Sequence, residues 1–127
     1  MKANWIPILI VALLLPSAAA CYRHSGYHFY PNAPAIGPTD PARVDLLRRE
    51  PRRDHIRLGE VWIRPTWRMD RNYVEWTLRE KAARLGADAL VIVADRYFNQ
   101  GYVRSYWRGM RPVYERQIVG IAIRFTR

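Results

Sequence analysis

The stretch Tyr73-Val74-Glu75-Trp76-Thr77-Leu78-Arg79-Glu80-Lys81-Ala82-Ala83-Arg84-Leu85-Gly86-Ala87-Asp88-Ala89-Leu90-Val91-Ile92-Val93-Ala94 carries two elements and the turn that joins them. Val74, Leu78, Ala82 and Leu85 recur at helical spacing and predict an amphipathic helix over Tyr73 to Leu85. Asp70 or Asn72 can cap it, and Asn72 with Glu75 has capping-box spacing. Glu75 with Arg79, and Glu80 with Arg84, stand one turn apart in the favourable order. Gly86 follows the last residue of the stripe and is expected to end the helix in a left-handed conformation. Ala89 to Ala94 is short, continuous and apolar, which predicts a strand buried on both sides. The helix stripe is expected to pack on a sheet containing Val91, Val93, Ile121 and Ile123.

Working outward, Val44 to Leu47 reads as a first strand and Pro51 to Asp54 as a turn. Ile56 to Ile63 reads as a second strand, with Gly59 at a bulge or a close approach. Gln117 to Phe125 is the last strand. Val119, Ile121, Ile123 and Phe125 share one face; Ile118, Gly120 and Ala122 make the other, small enough for a neighbouring element to come close. The expected fold class is α/β (α+β): a small two-layer sandwich with one main helix on a mixed sheet of about four strands.

Leu58-Gly59-Glu60-Val61, the helix, and Lys81 to Ile92 together resemble small bacterial envelope lipoproteins of unknown function. The Leu85-Gly86-Ala87-Asp88-Ala89-Leu90 region is similar to the Rcs stress-sensor lipoprotein domain, and the likeness runs from about Val44 to Ala94. It implies a strand, helix, tight turn and strand. It carries no functional residue across, because this chain lacks the disulfide cysteines of the stress sensor.

Residues 1–20 read as a signal peptide: Lys2, an apolar run from Ile6 to Leu15, then small residues from Ser17 to Ala20. The run is too short to span a bilayer, which takes about 20 apolar residues. It ends on Cys21, the chain's only cysteine, and Ala18-Ala19-Ala20-Cys21 resembles the lipidation signal of bacterial lipoproteins. Cys21 is therefore the expected lipidation site. A diacylated Cys would anchor the chain stably and would not be a free thiol in an oxidising compartment. Tyr22 in place of Asp resembles the signal for the outer membrane, facing the periplasm. Ala18 and Ala20 also fit ordinary signal peptidase, so a soluble periplasmic protein is the alternative. Residues 21–41, with Pro31, Pro34, Pro38 and Pro41, read as a Pro-rich tether, and residues 42–127 as a single α/β domain.

The net charge of +10 is almost all arginine, since Lys2 and Lys81 are the only lysines. In an envelope such a surface meets lipid phosphates, peptidoglycan carboxylates or acidic proteins, which the planar guanidinium binds bidentately. The same charge also fits plain solubility and a compositional bias toward Arg. The stretch Asp95 to Glu115 interleaves Tyr97, Phe98, Tyr102, Tyr106 and Trp107 with Arg96, Arg104, Arg108 and Arg111. It predicts either a long hairpin or a mobile loop. Arg104, Trp107 and Arg108 are the candidate binding surface, because Trp and Arg dominate binding hot spots.

No catalytic set emerges. Cys21 is committed to the anchor, His24 and His28 fall in the tether, and only His55 lies in the domain, beside Asp54. Ser105 and Thr126 have no evident catalytic partner. Cys21, His24 and His28 have a spacing a metal can use, but a tether and an acylated Cys make poor ligands. No metal or cofactor is expected. The expected function is a non-enzymatic cell-envelope lipoprotein that binds, senses or supports structure. Its partners are the membrane, through the anchor, and anionic envelope components or an envelope protein. Alternatives are a soluble periplasmic protein that binds anionic polymers, and an enzyme of unidentified type. Nucleic-acid binding fits the Arg-aromatic mix but not export.

Overall fold

The computed structural model describes residues 23–126. Five strands and one main helix build a two-layer α+β fold with a mixed sheet. In chain order they are β1 (Ser25–Phe29), β2 (Asp45–Leu47), β3 (His55–Ile63), α1 (Arg71–Arg84), β4 (Ala89–Ser105) and β5 (Gly109–Phe125). The sheet order is β1-β3-β5-β4-β2. Only β2 and β4 pair in parallel; the other three pairings are antiparallel. β3, α1 and β4 form a βαβ crossover that β5 splits by inserting between the two strands.

The helix starts at Asp70, whose carboxylate accepts from the Tyr73 amide at 2.7 Å. Asn72 lies inside the first turn, so the capping role belongs to Asp70 and not to an Asn72–Glu75 box. Glu75 pairs backward with Arg71 at 2.8 Å, and Glu80 pairs with Arg84 at 2.9 Å. Gly86 sits at φ 84, the left-handed conformation the abrupt turn requires. The amides of Leu85, Gly86 and Ala87 all bond back to Ala82 or Ala83 and close the helix end.

Val74, Leu78, Ala82 and Leu85 are buried as the helical spacing predicts. Their partners on the sheet differ from expectation. The helix packs on Leu90, Ile118 and Ala122, with Ile92 beside them. Val91 and Ile123 belong to a second cluster with Ala89, flanked by Leu47, Ile121 and Phe125. The reason is steric. The Leu90 side chain fills the space over Gly120, where a Cβ would lie 2.7 Å from Leu90 Cγ, so the small face of β5 is the one that admits bulk from above. Val93 is the extra residue of a bulge between Ile92 and Ala94 and is 51% exposed, so burial on both sides ends before it.

A bulge at Leu58 does similar work in β3. The pairing steps from Arg57↔Ile123 to Gly59↔Ala122, leaving Leu58 extra. Ile56 before it, Leu58 at it, and Val61 and Ile63 after it can then all reach the same core.

The segment expected to be a tether is part of the domain. β1 pairs antiparallel with β3, from Ser25↔Ile63 to Phe29↔Gly59. Further on, Ile36 packs on the core, and Thr39 donates to the carbonyls of Ala83 and Ala87. Asp40 caps a 3-10 turn over Pro41–Arg43 that leads into β2. The folded part thus begins near Ser25 and not at Ala42. Proline bars helix and interior strand, but it bars neither an edge strand before the first proline nor an irregular segment pinned by side chains.

Candidate functional site

The arginine-aromatic stretch is a hairpin. β4 and β5 stay paired from Asp95↔Ile118 out to Ser105↔Gly109, with Tyr106, Trp107 and Arg108 in the connecting turn. Aromatic residues that fit a pleated surface favour the strands. Gly109 at φ 68 closes the turn. A second bulge falls between Asn99 and Gly101, where Asn99 Oδ1 accepts from the Gly101 amide at 2.8 Å.

The base of the hairpin is clasped. Arg116 donates from Nε and Nη2 to the two oxygens of Asp95, at 2.7 and 2.6 Å. This bidentate fork holds the Asp95 carboxyl below the usual carboxylate range, against the opposing effect of its partial burial. Beyond the clasp, Arg96, Arg104, Arg108 and Arg111 follow with no acidic residue among positions 96–111.

The predicted binding residues come together at the far end. Arg104 pairs with Met110, and Trp107 and Arg108 occupy the turn. Trp107 is 87% exposed and Tyr106 91% exposed, their rings edge-to-face with centroids 5.1 Å apart. Two large aromatics left so open at a strand turn contribute nothing to the core. Cys21 lies outside the described residues.

A cleft that the sequence did not announce opens beside the hairpin base. It has a volume of about 820 Å³ and lies between α1, the loop 64–70 and the helix-side face of the hairpin. Leu78, Ile92 and Ile118 are among its apolar residues, Trp67, Tyr97 and Tyr114 bring aromatic rings, and Arg48, Arg79 and Arg116 bring positive charge. Trp67 is 88% exposed, with the Arg68 guanidinium 4.9 Å from its ring centroid. These residues come from five separated segments, so no local pattern could have marked them. An exposed Trp inside Pro65-Thr66-Trp67-Arg68 was the one available signal.

His55, the lone histidine expected in the domain, is held as a structural clasp. Nδ1 lies 2.6 Å from the Arg53 carbonyl and Nε2 lies 3.1 Å from Glu50 Oε1. The carbonyl first, and then the carboxylate, raise its pKa by favouring the imidazolium, which can donate to both. Arg57 joins the same Glu50 oxygen at 2.7 Å. Arg53 also lies over the Phe125 ring, 4.5 Å from its centroid, so the crossover from β2 to β3 straps the sheet face opposite α1. Asp54, adjacent in sequence, is not a partner of this ring. His28 stands 3.5 Å from Glu60, and among the described residues no three His, Cys, Asp or Glu side chains gather as a metal site would require.

Compared with known proteins, the chain matches no family model, no curated protein and no solved structure. No helix among the described residues is long and apolar enough to cross a membrane.

Proposed function

We propose that this chain is a non-enzymatic cell-envelope lipoprotein, anchored through Cys21 in the outer membrane and facing the periplasm, whose hairpin binds anionic envelope components. One observation carries the binding role: a clasped hairpin that projects four arginines without an intervening acid and ends in an open Trp107. Arginine forks suit phosphate and carboxylate, and an exposed Trp supplies apolar contact beside them. The non-enzymatic part is supported by His55, whose two ring nitrogens are both taken up within the β2–β3 crossover. The anchor rests on the leader and on the position of Cys21.

The test changes Arg104, Trp107 and Arg108 together to Ala and measures association with isolated envelopes beside thermal stability. These side chains touch no core cluster, so the expected result is weaker association with nearly unchanged stability. Unchanged association removes the hairpin as the binding surface. Equal loss of both assigns these residues to the fold.

A further inference from the structure

The hairpin and the amino terminus leave the sheet at the same end. Ser25 pairs with Ile63, Ile63 with Ile118, and Ile118 with Asp95, where the hairpin begins. The His24 carbonyl accepts from the Arg64 amide at 2.7 Å, so the chain reaches Ser25 from the hairpin side. The loop 64–70, which follows Ile63, belongs to this end as well. It carries Trp67, which lines one cleft with Tyr97 and Tyr114 of the hairpin. Trp67 and the helix-side face of the hairpin therefore form one surface.

Reach decides how that surface sits. From Ile118 to Gly109 the hairpin extends up to about 30 Å past the end of β3. From Cys21 to Ser25 the chain can cover no more than about 14 Å. Anchored at Cys21, an upright hairpin would drive its tip through the headgroups into hydrocarbon. Its backbone forbids this. β3 pairs with β5 only over Ile118–Phe125, and β2 pairs with β4 only over Ala89–Val91, so both outer edges of the hairpin lack a strand partner. Open strand edges are not tolerated in lipid, and Arg104, Arg108 and Arg111 add a further penalty there. The arm has to lie along the surface.

We infer that the domain docks flat on the anionic headgroup surface of the membrane that carries its anchor, through Trp67, Tyr97, Tyr114 and the hairpin's Arg104, Trp107 and Arg108. This rests on the anchored, anion-binding reading above and names its partner: lipid phosphates. Exposed Trp and Tyr beside Arg is the composition that settles at the level of the headgroups. The short reach from Cys21 brings this surface, and not the opposite end of the sheet, against the bilayer.

The experiment uses the chain from residue 21 with Cys21→Ser, which retains every described element and has no acyl chain. Its co-sedimentation is measured with phosphatidylcholine vesicles, with vesicles containing phosphatidylglycerol, and with purified peptidoglycan sacculi. Each variant is checked by thermal unfolding. The expected result is salt-sensitive binding to the phosphatidylglycerol vesicles alone. Arg104→Ala and Arg108→Ala should each weaken it about fivefold, whereas Arg111→Ala, opposite Val103 on the other face of the hairpin, should weaken it less. Trp67→Ala, outside the hairpin, should weaken it several-fold. Hairpin-dependent binding to sacculi without vesicle binding overturns the docking and leaves the anion-binding reading standing. Binding to neither overturns both. Vesicle binding that ignores Trp67→Ala overturns the flat orientation.

Discussion

The carbonyl oxygen of His28 occupies the space that a side chain on Gly59 would need. This contact ties the amino-terminal strand to the domain at the bulge of β3. Gly59 therefore serves a close approach between two backbones, and no flexible side chain is there to give way.

Gly59→Ala should push β1 off β3 at a cost of about 1–3 kcal/mol, as overpacking does. Amide hydrogen exchange at residues 25–29 should quicken while exchange in α1 stays slow. Unchanged protection of β1 would show that the two strands can move apart without loss, and the close-approach argument would fall.

Leu78 of the helix and Leu90 of the sheet are buried in the same core cluster, whereas Val93 stands out at its bulge. Leu78→Ala and Leu90→Ala should each cost about 2–5 kcal/mol in chemical denaturation. Val93→Ala should cost about 0.5 kcal/mol or less. A large loss at Val93 would contradict the register described here.

Gly86 combines φ 84 with crowding: a Cβ there would lie 3.0 Å from both the Gly37 carbonyl oxygen and the Ile36 side chain. Gly86→Val should destabilise the fold by at least about 1–3 kcal/mol from backbone strain alone. Gly86→Asn, which tolerates the left-handed region better, should cost less despite its bulk. Equal costs for the two would assign the effect to crowding instead of dihedral strain.

Two clasps should give opposite pH signatures. The His55 pKa is raised above its ordinary 6.5, so its stabilisation is complete below 6.5 and is lost as pH rises through the raised value. His55→Ala should flatten the fall in melting temperature expected as pH rises above the ordinary 6.5. The Asp95 pKa is lowered by Arg116, so its contribution is present above the ordinary 3.8 and is lost as pH falls through the lowered value. Asp95→Asn should leave the neutral-to-alkaline slope unchanged, remove part of the acid slope, and speed amide exchange in the hairpin. A His55→Ala protein with the wild-type slope would refute the first assignment.

Anchor and surface should separate by salt. Wild-type protein should stay with membranes in high salt, held by acyl chains. Cys21→Ser protein should lose lipid labelling and be released by salt, since only screened Arg–phosphate contacts remain. A Cys21→Ser protein that still carries lipid would refute the anchor.

The sequence by itself determined the helix, its left-handed stop at Gly86, the strand that follows and the last strand, because each is written in local terms. A 3.6-residue period, a glycine at its end and a short apolar run need no knowledge of the rest of the chain. The Arg-aromatic stretch was equally visible as composition, and Gly101 and Gly109 made a hairpin one of its two readings. Tertiary structure alone decided which face of β4 and β5 meets the helix. Both faces are apolar, and the bulkier one looked like the core until Leu90 claimed the space over Gly120. It also decided that Ser25–Phe29 is a strand. That segment is only partly buried and is held by backbone pairing to β3, which leaves no side-chain period to read. Finally, the meeting of Trp67, the hairpin and the amino terminus at one end follows from the strand order. Strand order is set by long-range pairing, and no single segment of the chain encodes it.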